Sequence, residues 1–256
     1  MALINREEKI LEKIANNLRG LSIDMIDNAK SGHPGIALGA ADIIANLYAN
    51  HLKINPKDDK WINRDRFVLS AGHGSSLLYS TLYMAGYDLS LDDLKNFRKL
   101  DSNTPGHPEY RVTKGVDTTT GPLGEGLATS VGIAIGETYL RSILGDKIID
   151  FNTYVLCGDG DLMEGVSYEA CSLAGTLRLN KLIVLYDSND VTLDGRKNES
   201  FDENVEERFK AMNWNYIMVR DSLDEETLNE AVESAKKSDK PTLIEIKTTI
   251  GKYSAN

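Results

Sequence analysis

The stretch Cys157-Gly158-Asp159-Gly160-Asp161, followed after a helix-length interval by Leu182-Ile183-Val184-Leu185-Tyr186-Asp187-Ser188-Asn189, confines this chain to few folds. Thr153 to Cys157 is a short β-branched and apolar run, Val166 to Leu177 has apolar residues at helical spacing, and Leu182 to Tyr186 is a second buried-strand pattern. The segment therefore reads as one βαβ unit, with both strands parallel and both following loops on one edge. That edge, outside the carboxyl ends of the strands, is where open parallel sheets bind ligands. It receives Asp159 from the first loop and Asn189 from the second, hard oxygen donors of the kind Mg2+ prefers. Gly158 and Gly160 allow positive φ and close approach to a bulky anion, whose oxygens meet the amides opening the next helix. Asp-Gly alone is a common turn dipeptide. Its place at the end of one buried strand, with an Asn 30 residues beyond Asp159 just past the next, marks it as a metal-diphosphate site.

At 256 residues, 41% hydrophobic and 27% charged, the chain can bury a full core as one large α/β domain spanning residues 1–256. No apolar run approaches the ~18 residues a membrane span needs, and Met1-Ala2-Leu3-Ile4-Asn5 leads straight into a charged helix, so the expectation is a cytoplasmic enzyme without membrane attachment. Cys157 and Cys171 form neither a disulfide framework nor a zinc pattern and read as small core residues. The net charge of -10 argues against nucleic acid or an anionic membrane as partner. It also requires local compensation for any diphosphate, from a divalent cation, helix N-termini and a few His or Lys side chains.

Glu7 to Lys30 is a long helical pattern with Ile10, Ile14, Leu18, Leu21 and Met25 on one side. It stops at Ser31-Gly32-His33-Pro34-Gly35, where the proline fits the start of a helix over Ile36 to Leu52. His33 is thereby placed at a helix entrance. Arg66 to Leu69 is a short strand, Ala71-Gly72-His73-Gly74 a loop, and Ser75-Ser76 a cap for a helix over Leu77 to Gly86. Thr104-Pro105-Gly106-His107-Pro108-Glu109 carries a third histidine in a rigid turn, and Thr119 to Gly126 opens another helix. Three of the four histidines thus lie in glycine and proline loops, the places where a scaffold carries function. His51, the fourth, reads as a C-terminal cap or surface residue. Leu223 to Lys237 is an amphipathic helix, and Lys240 to Ile246 leads into a last strand.

Gly158-Asp159-Gly160 with Asn189 resembles the signature of thiamine diphosphate enzymes, and the remaining loops resemble one branch of them. Ser31 to Gly35, Trp61-Ile62-Asn63-Arg64-Asp65-Arg66-Phe67, Thr104 to Glu109 and Thr120-Gly121-Pro122-Leu123-Gly124 are similar to transketolase loops in the same order, from about residue 7 to residue 251. The resemblance implies an open parallel sheet with helices on both faces, the thiamine diphosphate-binding fold in its diphosphate-binding form. It implies transfer of a two-carbon ketol unit from a ketose phosphate to an aldose phosphate, in the pentose phosphate pathway, with thiamine diphosphate and Mg2+ (or Ca2+).

Carried over residue by residue, Asp159, the Asn189 amide oxygen and the Val191 carbonyl would hold the metal, while the Gly160 amide and His73 would contact the diphosphate. Gly121 and Leu123 would pack around the aminopyrimidine. His33 and His107 would face the substrate. Glu164 and Glu169 would lie at the family's subunit interface, and Glu164 would count among the cofactor-binding residues. The family's pyrimidine-binding domain, its C-terminal domain, the glutamate that activates the cofactor and a fourth active-site histidine lie beyond the matched part, so this chain would supply half a site. It would be an excised domain, the favoured reading, or the small subunit of a split enzyme, acting as a homodimer or with a separate C-terminal subunit. The alternatives are a cofactor-binding module inactive on its own and a subunit of a 1-deoxyxylulose 5-phosphate synthase-like or 2-oxo-acid dehydrogenase-like enzyme. A nicotinamide dehydrogenase is poorly supported, because no Gly-x-Gly-x-x-Gly follows a first strand with an acidic residue placed for a ribose.

Overall fold

The central strands are apolar at nearly every position because both faces of their sheet are covered. The computed structural model describes residues 4–192 and 195–254, with side chains from residue 10 onward. In chain order the elements are α1 (Ile4–Ala29), α2 (Pro34–Gly39), α3 (Ala41–Asn46), a π turn over Leu47–His51, β1 (Arg66–Leu69), a 3-10 turn over Gly72–Gly74, α4 (Ser75–Met84), α5 (Leu91–Lys95) and α6 (Glu125–Leu144). There follow β2 (Thr153–Gly158), α7 (Asp159–Met163), α8 (Gly165–Thr176), β3 (Leu182–Ser188), the two-residue strands β4 (Val191–Thr192) and β5 (Gly195–Arg196), and a 3-10 turn over Lys197–Glu199. The chain closes with α9 (Val205–Ala211), β6 (Asn215–Val219), α10 (Glu225–Lys236) and β7 (Thr242–Lys247).

Five strands form one sheet in the order β1-β2-β3-β7-β6, parallel at every junction, while β4 and β5 pair antiparallel as a small hairpin. Side chains alternate between two cores, as a period of two requires. Tyr154, Leu156, Ile183, Leu185 and Ile244 face one core with Leu18, Met25, Ile43 and Leu228. Val155, Cys157, Val184, Tyr186 and Leu243 face the other with Leu127, Val131, Cys171 and Phe209. Both cysteines are free and buried, and burial pushes their thiols up, Cys171 to about 12.

Several local expectations change. The continuous helix over Ile36 to Leu52 is broken into α2, α3 and the π turn, with Ala40 as the joint at φ -93, ψ 1. Ile10, on the expected apolar side of α1, is exposed, whereas Leu18 and Met25 on that side are buried. Ser75 and Ser76 do not cap α4: Gly74 is the N-cap, and Ser75 Oγ instead donates 2.7 Å to the Gly106 carbonyl. His51 is no surface residue. Its side chain is 3% exposed and ties the π turn to α10, with Nε2 2.8 Å from Asn229 Oδ1 and Nδ1 3.2 Å from Glu233 Oε1. Arg64, Asp65 and Arg66 also prove structural, since they lie at the amino end of β1, away from the ligand edge. Asp65 accepts the Lys53 and Asn152 amides at 2.8 and 2.7 Å, and Arg64 pairs with Asp117 at 2.5 Å.

Candidate functional site

Six loops meet at the carboxyl edge of the sheet. Each brings a side chain named from the sequence, and close glycine contacts hold the loops together. After α1 the chain turns through Gly32 at φ +152, where a Cβ would strike Ile26 at 2.6 Å. Pro34 then starts α2 and leaves His33 at its entrance in an extended conformation. His33 meets His73, which sits in the 3-10 turn after β1, edge to face with ring centroids 5.2 Å apart.

The His107 loop is pinned to α4 by Ser75 and by Tyr79, whose hydroxyl lies 3.0 Å from the Pro105 carbonyl and 3.1 Å from that of His107. The His107 ring in turn lies 3.6 Å from where a Cβ on Gly121 would be. A Cβ on Gly72 would lie 2.8 Å from the Gly121 amide nitrogen, and one on Gly160 would lie 2.8 Å from Leu123 Cδ1. The approach at Gly72 is to backbone and requires glycine, whereas at Gly160 the neighbour is the tip of the Leu123 side chain. Gly124, at φ +78, turns the chain into α6 and brings Glu164 alongside, its Cβ 2.8 Å from a Cβ built on Gly124. Glu164 and Glu169 are exposed at the start of α8 and on its first turns.

Asp159 is buried and its carboxylate is the hub of the two loops seen in the βαβ pattern. One oxygen accepts from the Tyr186 hydroxyl and lies 3.2 Å from Lys197 Nζ; the other accepts the amides of Asn189 and Asp190 at 3.2 and 3.1 Å. Asn189 Nδ2 donates 3.1 Å to Asp187, which fixes the amide so that Oδ1 turns into the loop, where it accepts the Val191 amide at 3.0 Å. Val191 opens β4 two residues beyond Asn189. Burial pushes the Asp187 carboxyl up to about 6, against the pull of Thr248 and Asn189. Among the described residues no group of three His, Cys, Asp or Glu gathers to hold a metal, so any metal held at Asp159 would draw on one carboxylate plus neutral oxygens.

Four contributors were not singled out from the sequence. Asp161 Oδ1 accepts Ser70 Oγ at 2.6 Å and the Gly124 amide at 2.8 Å, and Oδ2 accepts the Gly158 amide at 2.9 Å, so one buried carboxylate ties three site loops together. Arg98 donates 2.7 Å to Ser31 Oγ and places positive charge by His33 and His107. Asp187 orients Asn189, and Lys197 faces Asp159. Asp161 and Asp187 stand inside the quoted strand motifs, where strand-end acids were the available signal; Arg98 and Lys197 carry no local signal.

The converging loops leave room and unsatisfied polar groups. A Cβ on Gly158 would meet open space, which leaves room along this backbone, and the hydroxyls of buried Ser76 and Thr120 have no hydrogen-bond partner. Unpartnered buried donors of this kind call for a ligand or water. Burial pushes all three imidazoles down, His73 to about 4, with His33 and His107 adding to the shift at His73.

A group whose folded value lies below its ordinary value near 6.5 contributes stability above that value and loses it as pH falls toward the folded value. The ligand-free chain is therefore expected to lose up to about 3 kcal/mol through His73 between pH 6.5 and about 4. Denaturant unfolding across that range checks this, and His73→Gln should flatten the profile.

The family model "Transketolase, thiamine diphosphate binding domain" matches residues 10–256. A transketolase of Halalkalibacterium halodurans is 54% identical over 252 residues, covering 97% of this chain and 38% of that protein. The solved transketolase of Campylobacter jejuni subsp. jejuni superposes with a TM-score of 0.93 at 54% identity, over 95% of this chain and 38% of that one. A Pichia stipitis transketolase solved in complex with sedoheptulose 7-phosphate gives 0.93 at 46% identity, over 96% and 37%. This chain thus spans a little over a third of the length of the proteins it matches. With the parallel sheet and the converging loops already described, the match makes the chain a member of the transketolase thiamine diphosphate-binding domain family.

Proposed function

We propose that this chain is the diphosphate-binding part of a transketolase, which transfers a two-carbon ketol unit between sugar phosphates in the pentose phosphate pathway of the cytoplasm. The observation that carries the reading is the buried Asp159 carboxylate facing the Asn189 loop at the ligand edge of the sheet. Asp159, Asn189 Oδ1 and the Val191 carbonyl supply the hard oxygens for Mg2+ or Ca2+. The Gly160 amide and His73 take the diphosphate oxygens, with Gly158 leaving space beside them. Gly121 and Leu123 hold the aminopyrimidine, a role supported by the packing of Leu123 on Gly160. When bound, thiamine diphosphate supplies an electron sink for the carbon that leaves the ketose.

His33 and His107 receive the donor sugar. Burial, and the positive charge of Arg98 beside both, keep their imidazoles neutral near pH 7. A neutral imidazole both donates and accepts a hydrogen bond, so each ring can hold a sugar hydroxyl or carbonyl oxygen and pass a proton. Glu164 and Glu169 belong to a subunit interface, with a second copy or with a separate chain bearing the pyrimidine-binding half. The exposed Val166, Leu173, Tyr139 and Ile143 on α8 and α6 support an interface on this side.

Calorimetric titration with thiamine diphosphate tests the reading. Binding that requires Mg2+ or Ca2+ is the expected result; binding of equal strength in a chelator would overturn the metal-diphosphate assignment.

A further inference from the structure

The carboxylate that the proposed function makes a metal ligand has no acceptor position left for a metal. A carboxylate offers about four lone-pair sites. On Asp159 three accept hydrogen bonds, from the Tyr186 hydroxyl on one oxygen and the amides of Asn189 and Asp190 on the other, and the Lys197 ammonium, hydrogen-bonded to that hydroxyl at 3.4 Å, stands 3.2 Å from the first oxygen and covers the fourth. A divalent cation can bind only if one of these donors yields. The two amides are fixed by the backbone of the loop, and the Tyr186 side chain is held in the core on β3. Lys197 is different, since it ends a flexible four-carbon stem.

A second acceptor already stands in its reach. Lys197 Nζ lies 3.4 Å from Asp190 Oδ1, and its own backbone amide donates to the Asp190 carbonyl at 3.0 Å, which holds the β4-β5 hairpin against the loop. The Asp190 side chain is 68% exposed and can take the ammonium without further burial of charge. The other lysine at this corner, Lys247, lies 4.0 Å from Asp190 Oδ1 and is committed to Glu245 and Ser188 at 2.9 and 2.8 Å.

We propose that Lys197 is the resident counter-cation of Asp159, which the metal displaces toward Asp190 on entry. The inference rests on the reading of Asp159 as a metal ligand. Its physical content is competition: a positive charge 3.2 Å from the ligand oxygen lowers affinity for the bare metal. A metal arriving with a diphosphate brings its own negative charge and overcomes this. Lys197 thereby makes the metal enter with the cofactor instead of ahead of it, and it holds the loop in order while the metal is absent.

Mn2+ binding to the whole chain, followed by electron paramagnetic resonance of the free ion, tests this without any assay of activity. Lys197→Met is expected to bind Mn2+ alone more tightly than the wild type, on the order of tenfold, and Lys197→Arg to bind like the wild type. Lys197→Gln keeps a donor without a charge and is expected to follow Lys197→Met, so the test stands if the Met variant folds poorly. Thiamine diphosphate should tighten Mn2+ binding more in the wild type than in either neutral variant. Without metal, both neutral variants should melt below the wild type and recover with Mn2+. Unchanged or weaker Mn2+ binding in both neutral variants, with binding still abolished by Asp159→Ala, would overturn the role of Lys197 and leave the metal site standing. Unchanged binding in Asp159→Ala would remove the metal site and this inference with it.

Discussion

Asp161→Ala is expected to destabilise the chain by about 3–5 kcal/mol, because it strands three donors at once. Ser70 Oγ, the Gly124 amide and the Gly158 amide all point at this carboxylate, and the Asp161 side chain is fully buried. Water cannot replace it without opening the site. The effect spreads because Ser70 Oγ also accepts the Leu127 amide at 2.9 Å, so the first turn of α6 depends on the same network. Burial pushes the Asp161 carboxyl up while its three hydrogen bonds pull it back, and among the described residues no ion pair adds to them. Asp161→Asn keeps one acceptor oxygen but turns an amide donor on the remaining donors, and should cost nearly as much. Denaturant unfolding followed by the fluorescence of buried Trp214 measures this. A loss below about 1 kcal/mol would show that the three loops are held together by something else.

Asp159→Ala is distinguished by function: the folded variant should lose metal-dependent cofactor binding completely. The residue lies two positions from Asp161 and is as deeply buried, yet two of its donors are amides of the half-exposed loop at Asn189 and Asp190, and a third is the Lys197 ammonium, which has Asp190 as a second partner. What cannot be replaced is the charged ligand, since Asn189 and Val191 offer only neutral oxygens. In titrations with thiamine diphosphate, the wild type should bind in Mg2+ and fail in a chelator, while Asp159→Ala should behave identically in both. Retained dependence on Mg2+ in the variant would place the metal elsewhere. The contrast between the two aspartates separates a residue that builds the site from one that serves the ligand.

Much of this was legible because the strands are buried on both faces. Thr153 to Cys157 and Leu182 to Tyr186 are apolar throughout, so their ends, and with them Asp159 and Asn189, could be located from the sequence. β6 was not, because Asn215, Tyr216, Ile217 and Met218 lie on an edge strand and are only partly buried or exposed. The break in the helix over Ile36 to Leu52 was hidden for another reason: the run is helical in composition, and the π turn that ends it places His51 against α10, a tertiary contact 178 residues away. The clustering of His33, His73 and His107 followed from their loops, whereas Arg98 and Lys197 act through distant partners at Ser31 and Asp159 that no local pattern announces.

The most direct test of the central claim is ketol transfer from xylulose 5-phosphate to ribose 5-phosphate with thiamine diphosphate and Mg2+. It is measured for this chain alone and for this chain mixed with a polypeptide carrying the pyrimidine-binding half. Activity is expected in the mixture only, and is expected to be lost when the mixture contains Asp159→Ala. Turnover by the chain alone would contradict the half-site reading, and an inactive mixture of two folded, cofactor-loaded partners would contradict the transketolase assignment.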